Sequence, residues 1–437
     1  MHQAYPERHR RILSAVSTAS ARLPRSLRGR LSQIFLRAYY ANVATLDLAD
    51  REPKELAAIA SSQLLFARQR RGRALVRVFN PTLGEHGYTS AHTVIEMVND
   101  DMPFLVDSIG LVLAQRSLTL HFLAHPIFAV TRDAAGVLQS LEERALPSAG
   151  KKSRLESFQH LEVDRIVDPS TLSALHTDIE RSMRDVRVAC MDWARMQRAA
   201  GQTADDLNAL SSRFDPRDVA ETQSLLGWMA SRHFLFLGYC EYRLKGANGR
   251  ESLEPVEQTG LGILRPGHKH PESTGRILAS DIRRQARSRV LALVTKANFR
   301  STVHRAGFLD YIGVKHFGPR GQLIGERRFL GLWTSAAYNT NPRDIPLVRH
   351  KVAQLIQHFA LAPDSHDGKT LQHILEAFPR DELFQAGVPD LIRVVTGIFG
   401  LQERPRVRLL LRRDPFRRFY SCLVYVPREK YNAVVRQ

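Results

Sequence analysis

His92-Thr93-Val94-Ile95-Glu96-Met97-Val98, followed at once by Asn99-Asp100-Asp101-Met102-Pro103, decides the first domain. The seven-residue run is β-branched and alternating, which predicts a strand. The five residues after it supply acidic caps and an early proline, the signals that start a helix. From Phe104 to Leu118 the apolar residues Leu105, Ile109, Val112 and Leu113 fall at helical spacing.

Working outward, Val76 to Phe79 alternates and stops at Asn80-Pro81, a strand closing in a turn. Leu118 to Thr131 is strand-rich and broken at Pro126, as two strands or one bent edge strand would be. Phe158 to Ile166 is a further strand. Asp168-Pro169-Ser170 opens a long helix to about Arg198, with Leu172, Leu175, Ile179, Met183, Val186, Cys190 and Trp193 on one stripe. Strand, helix, strand, strand, helix is a split βαβ order, and helices on one face of an antiparallel sheet are expected. Modules of the ACT kind, which bind small effectors, have this build.

Before this domain, Leu31, Ile34, Phe35, Ala38 and Tyr39, then Leu56, Ile59, Leu64, Leu65 and Phe66, predict helices over about 28–73. After it, the Asp215-Pro216 pair caps a helix over Val219–Ala230, and about five mostly antiparallel strands lie between Phe234 and Trp333. The turn Gly318-Pro319-Arg320-Gly321 joins the last two. Helices are expected over Ile345–Phe359, Gly368–Ala377 and Arg380–Phe399. Val407–Arg412 and Phe419–Val426 read as two strands of a third domain, with a helix opening at Pro427. The expected division is a basic extension 1–27, helices 28–73, a first domain 74–205, a second 206–400, and a truncated third 401–437.

Lys and Arg total 63 against 44 Asp and Glu, a formal charge of +19. The excess is scattered, densest at Arg68–Arg73, Arg283–Arg289 and Arg404–Arg418, without a recognition-helix or RNP pattern. A solvated basic face is preferred to nucleic-acid binding. Three dispersed cysteines, Cys190, Cys240 and Cys422, read as buried free thiols in a reducing cytoplasm rather than a disulfide framework. No segment reaches the roughly 18 apolar residues of a membrane span.

Among chemical motifs, Gly260-Leu261-Gly262 lacks its third glycine, and neither a Walker loop nor a His-Glu-x-x-His pair occurs. His268-Lys269-His270 lacks a third metal ligand, and His121 and His125 read as sheet residues. Asp310, Lys315 and His316 are weighed as an acid/base group and set aside. The candidate site is therefore Asn99, Asp100, Asp101, Met102 and Asp107, where a helix start leaves backbone N–H groups free. Two readings compete there: Asp100 and Asp101 cap those amides, or the loop contacts an effector or a neighbouring subunit.

Eight segments, in order, add a resemblance. They are Phe79-Asn80-Pro81, Val98–Ser108, Phe234–Tyr239, Gly260–Leu264, Thr295–Asn298 with Ser301–Arg305, Tyr311–Lys315, Glu326–Leu332 and Ser365–Lys369. Together they resemble the N-terminal half of the large bacterial NAD-specific glutamate dehydrogenases, from about Leu27 onward. The resemblance implies an α+β chain: an ACT-like domain, a PAS-like domain with a helical tail, and a truncated second ACT-like domain, serving regulation and assembly. It implies that NAD and the catalytic residues belong to the parent enzyme, so no cofactor, metal or catalytic residue is expected here. The implied partners are the remainder of that enzyme, further copies in a homo-oligomer and an amino-acid effector. A free-standing ACT-type amino-acid sensor and a basic nucleic-acid-binding protein stand as alternatives.

Overall fold

The computed structural model describes residues 4–19, 30–143, 153–210, 214–246, 251–268, 276–277, 290–318, 320, 322–401, 406–414 and 419–432. The chain forms two compact units. The first is Met1–Arg187 with Thr302–Ala306; the second is Val188–Ser301 with Gly307–Gln437.

Among the described residues, unit 1 begins with the helices α1 (Ala4–Ala19), α2 (Arg30–Tyr39), α3 (Thr45–Ala49) and α4 (Pro53–Phe66). There follow β1 (Leu75–Phe79), the short α5 (Leu83–His86), β2 (Thr93–Asp100), α6 (Leu105–Gln115), β3 (Leu120–Ala124), β4 (Ile127–Arg132), β5 (Leu138–Glu143) and β6 (Arg154–Val163). The long α7 (Pro169–Asp206) contributes its residues up to Arg187. The sheet is antiparallel in the order β1-β2-β6-β4-β5, with β3 also on β6. Since Ala124 pairs with His160 and Ile127 with Ser157, β3 and β4 are two stretches of one path bent at Pro126. Strand β5 had no counterpart in the sequence reading, because Leu138–Glu143 buries only Leu141 and shows no apolar alternation.

Helices on one face only were expected; the sheet is covered on both. Val98, Phe128, Val130 and Phe158 pack against Phe35, Tyr39, Tyr40 and Leu56 from α2 and α4. The opposite face buries Ile95, Met97 and Leu161, and α6 and α7 bury Ile109, Val112, Leu175, Ile179 and Met183. Each fully buried phenylalanine contributes about 1.5–3 kcal/mol to that packing. The N-terminal helices are thus a layer of this unit, not a preface to it. Trp193, placed on the buried stripe of α7, is instead 42% exposed.

Unit 2 holds the rest of α7, α8 (Pro216–Trp228), β7 (Phe234–Lys245), β8 (Ser252–Pro255), β9 (Leu261–Gly262), β10 (Arg276–Ile277), β11 (Ala292–Arg300), β12 (Phe308–Phe317) and β13 (Leu323–Trp333). Its antiparallel order is β10-β8-β7-β13-β12-β11, with β9 on β7, so the described residues hold seven strands rather than five. The missed ones are two to four residues long. Helices α9 (Ser335–Asn339), α10 (Val348–Phe359), α11 (His366–Ala377), α12 (Arg380–Gln385) and α13 (Val388–Phe399) follow. The single helix expected over 380–399 divides because Pro389 is tolerated only in a first helical turn. Lys351 Nζ closes the gap, donating to the carbonyls of Leu383, Phe384 and Ala386 at 2.8, 2.8 and 2.9 Å.

The final strands, β14 (Arg408–Arg413) and β15 (Tyr420–Tyr425), form a hairpin. Leu410 joins the main core of unit 2 while Leu409, Leu411 and Val424 stay exposed. Cys422 is exposed, against the expectation of a buried thiol, because its register position places it on that outer face. Where a helix was expected after Pro427, the chain makes one 3-10 turn, Arg428–Lys430. The basic run 283–289, Lys269, His270, Pro319 and Gly321 lie outside the described residues.

Candidate functional site

The loop singled out in the sequence sits at the end of β2 in unit 1. Strand alternation sends Val94, Glu96, Val98 and Asp100 to one face and Thr93, Ile95, Met97 and Asn99 to the other. The ladder continues one residue further, Asp101 N donating to Leu155 O at 2.9 Å. Phe104 then turns through φ 71°, and Ser108 N donates to its carbonyl to begin α6.

No side chain caps that helix. The expected capping by Asp100 and Asp101 is therefore corrected, and the reason is electrostatic. Asp100 is drawn away by Arg70 Nη2 at 2.8 Å and Arg187 Nη1 at 2.7 Å. Burial works to raise the pKa of this carboxyl, but the two guanidiniums outweigh it and hold it below the ordinary range. Asp107 pairs instead with His304 Nδ1 at 2.9 Å, and the buried Ser108 hydroxyl accepts from His304 N at 3.0 Å. Met102 is half-buried beside them.

Asn99 is buried, its Oδ1 accepting from Arg187 Nη2 at 2.5 Å and from Asp100 N at 3.0 Å. Among the described residues its Nδ2 has no hydrogen-bond partner, and neither has the buried Oε1 of Gln159 on the neighbouring β6. Between them in the ladder lies Ser157, opposite Asn99, whose hydroxyl meets His125 Nε2 at 2.7 Å and Gln159 Nε2 at 3.1 Å. Burial lowers the His125 pKa, so the ring is neutral at pH 7. A spare donor and a spare acceptor thus share one buried polar patch. Buried polar atoms are seldom left so, and each costs about 1–3 kcal/mol unless a ligand or water fills it.

The other face carries a charge network that sequence reasoning missed. His160 is wholly buried, with Nδ1 3.2 Å from Glu96 and Nε2 3.5 Å from Glu162. Arg77 holds Glu96 at 2.5 Å, and Arg51 grips Glu162 through both nitrogens at 2.6 and 2.8 Å. Burial pushes the His160 pKa down, but the two carboxylates prevail and raise it. Glu162, which burial alone would raise, is held down at about 2 by His160 and Arg51. The available signal was Glu96 standing inside an otherwise apolar strand with no solvent-facing partner pattern.

The acid/base group weighed from sequence is not assembled. Asp310 is buried and paired with Lys296 at 2.5 Å, and its Oδ2 accepts from Trp333 N at 3.0 Å. Lys296 also meets Asp381 at 3.1 Å, so these residues tie β11, β12 and α12 together. His121 pairs with Asp164 at 2.7 Å. No group of three or more metal-ligating side chains occurs among the described residues. Nor, among them, is any helix long and apolar enough to cross a membrane.

Three family models match the chain in order: "Glutamate dehydrogenase, ACT1 domain" over residues 35–179, "Glutamate dehydrogenase, helical motif 1" over 345–404, and "Glutamate dehydrogenase, ACT2 domain" over 408–437. The first includes the end of α2 with α3 and α4, in keeping with their packing on the sheet. An NAD-specific glutamate dehydrogenase of Halomonas elongata is 36% identical over 410 residues, covering 92% of this chain and 25% of that protein. Its counterpart in Pseudomonas aeruginosa is 33% identical over 404 residues, with the same coverage of each. That of Mycobacterium tuberculosis is 27% identical over 347 residues, 78% of this chain and 20% of that protein. The chain spans about a quarter of the length of the first two relatives.

Proposed function

The chain belongs to the NAD-specific glutamate dehydrogenase family, and from that premise we propose that it is a regulatory and assembly segment of such an enzyme. The parent reaction is the oxidative deamination of L-glutamate by NAD and water to 2-oxoglutarate, ammonia and NADH. The observation that carries the reading is the ordered series of ACT1, helical motif and ACT2 matches. In this reading the segment works in the cytoplasm, docks on the rest of the enzyme and on further copies, and takes no cofactor of its own. The seven-stranded sheet of unit 2 is the PAS-like domain, a reading supported by its single antiparallel sheet flanked by helices.

The effector contact is the loop Asn99, Asp100, Asp101, Met102 and Asp107, and its supporting feature is the unsatisfied pair beside it. Asn99 Nδ2 offers a donor to a carboxylate, and Gln159 Oε1 offers an acceptor to an ammonium, the two charged ends of an amino acid.

Calorimetry of the chain against the common amino acids tests the effector reading. Saturable heat with one of them, lost in Asn99→Ala, is expected; no heat with any amino acid overturns it, and an ordered water then fills the patch. Assayed with saturating glutamate and NAD, the chain is expected to give no NADH.

A further inference from the structure

The basic run Arg68-Gln69-Arg70-Arg71-Gly72-Arg73 is not absorbed by the effector loop, and it has a defined place in unit 1. It is pinned to the turn after β4. Arg70 N donates to Gly136 O and Leu138 N donates to Arg68 O, both at 2.9 Å, and Gln69 bridges Val137. Gly136 has φ +80°, and a Cβ there would stand 2.3 Å from Arg70 O, so the close approach requires glycine.

Between this loop and the sheet lies a cleft of about 640 Å³, within the size range of small-molecule sites. Four guanidiniums line it: Arg70, Arg71, Arg132 and Arg154. Two of them build its floor. Glu156 is buried between Arg70 at 2.7 Å and Arg132 at 2.7 Å, and Arg70 also holds Asp100. These two arginines and two carboxylates balance.

The rim does not balance. Arg71 and Arg154 are exposed, and neither has a carboxylate partner among the described residues. The remaining acid, Asp133, spends one oxygen on the amides of Ala135 and Val137, both at 2.9 Å, and the other on Gln139. One positive charge is left over. Among the described residues no aromatic side chain lines the cleft, so a nucleobase finds nothing among them to stack on.

We propose that this cleft binds a small non-aromatic oxyanion, a carboxylate or a phosphate, between Arg71 and Arg154. Guanidinium forks match both groups, and the buried floor fixes the loop that presents Arg71. Asn99 points to the opposite sheet face, while Asp100 of the proposed effector loop also lines this cleft, so the two readings are separated by variants of Asn99 on one side and of Arg71 and Arg154 on the other.

Equilibrium titration of the chain with inorganic phosphate and with succinate, at constant ionic strength made up with chloride, tests it. Saturable binding of at least one is expected. Arg71→Gln and Arg154→Gln should each weaken it about tenfold, the low end for a lost charge-assisted hydrogen bond. Arg68→Gln, exposed but outside the cleft, should change it less than twofold, and Asn99→Ala should leave it unchanged. Both substituted arginines are at the surface, so unaltered melting separates lost contact from lost fold. Binding of phosphate alone assigns a phosphate ester, and binding of succinate alone a carboxylic acid. No saturable binding of either, or equal weakening by Arg68→Gln, overturns the proposal.

Discussion

In unit 1 the β2–β6 ladder places Glu96 opposite His160 and Val94 opposite Glu162, all buried. The β7–β13 ladder of unit 2 places Tyr239 opposite Phe329 and Phe234 opposite Trp333. Trp333 stacks on Phe384 at 4.5 Å and meets Phe234 edge-on at 5.0 Å. Both arrangements fill a core between sheet and helix, but they respond differently to damage. An aromatic core loses contact area by degrees. A buried ion network fails when one member goes, because the charges left behind have neither water nor partner.

The largest expected effect follows from that difference. Glu96→Ala removes the carboxylate shared by the wholly buried His160 and by Arg77, which keeps Ser62 as a partner, and should lower the stability of unit 1 by about 3 kcal/mol, read from its urea midpoint. The double variant Glu96→Leu, Arg77→Leu should recover at least half of that loss. A double variant as damaged as the single one would break the comparison, since the cost would then lie in packing.

The network also carries a pH signature. The His160 pKa is raised above 6.5, so its contribution is full below pH 6.5 and is lost as pH climbs through the raised value. The Glu162 pKa is lowered from 4.5 to about 2, so its contribution is full above pH 4.5 and is lost as pH falls towards 2. Unit 1 should therefore be most resistant to urea between about pH 4.5 and 6.5. His160→Gln should remove the alkaline limb and keep the acid one. An alkaline limb that persists in that variant would assign it to another group.

Unit 2 sharpens the contrast with the part-buried ammonium of Lys351. Among the described residues Lys351 pairs with no carboxylate; it is held by three carbonyls at the end of α12. Those acceptors lie at a helix C-terminus, where a cation is favoured. Lys351→Met keeps most of the stem packing and leaves the carbonyls uncapped, for an expected loss of about 1–3 kcal/mol in the unit 2 transition. A loss as large as that of Glu96→Ala would mean that dipoles hold a buried charge as stringently as carboxylates do.

The same contrast explains what was legible in the sequence. Val94, Ile95, Met97 and Val98 marked β2, and Leu105, Ile109 and Val112 marked α6, because burying those side chains imposes the period. The aromatic strands of unit 2 were readable for the same reason. Glu96, His160 and Glu162 were not, since a carboxylate alternating with apolar residues looks like a solvent face until a second helix layer covers it. The loop after β2 was singled out in the sequence, but its carboxylates were assigned to capping. Arg70 and Arg187, which redirect Asp100, lie 30 and 87 residues away and no local pattern announces them. Strand β5 escaped because an edge strand needs only one buried side chain.

The smallest expected effect tests whether unit 2 is as graded as its aromatic core implies. Ile312 is fully buried within that core, on β12, which is paired on both sides by β11 and β13. Ile312→Val removes one methylene and strands no polar group, so the loss should be about 0.5–1.5 kcal/mol, with no dependence on pH between 5 and 8. Thermal and urea midpoints of the unit 2 transition measure it. A loss above about 3 kcal/mol could not come from one carbon at the usual transfer and cavity cost. It would place Ile312 against the buried Asp310–Lys296 pair rather than against hydrocarbon, and the two units would then share one kind of fragility.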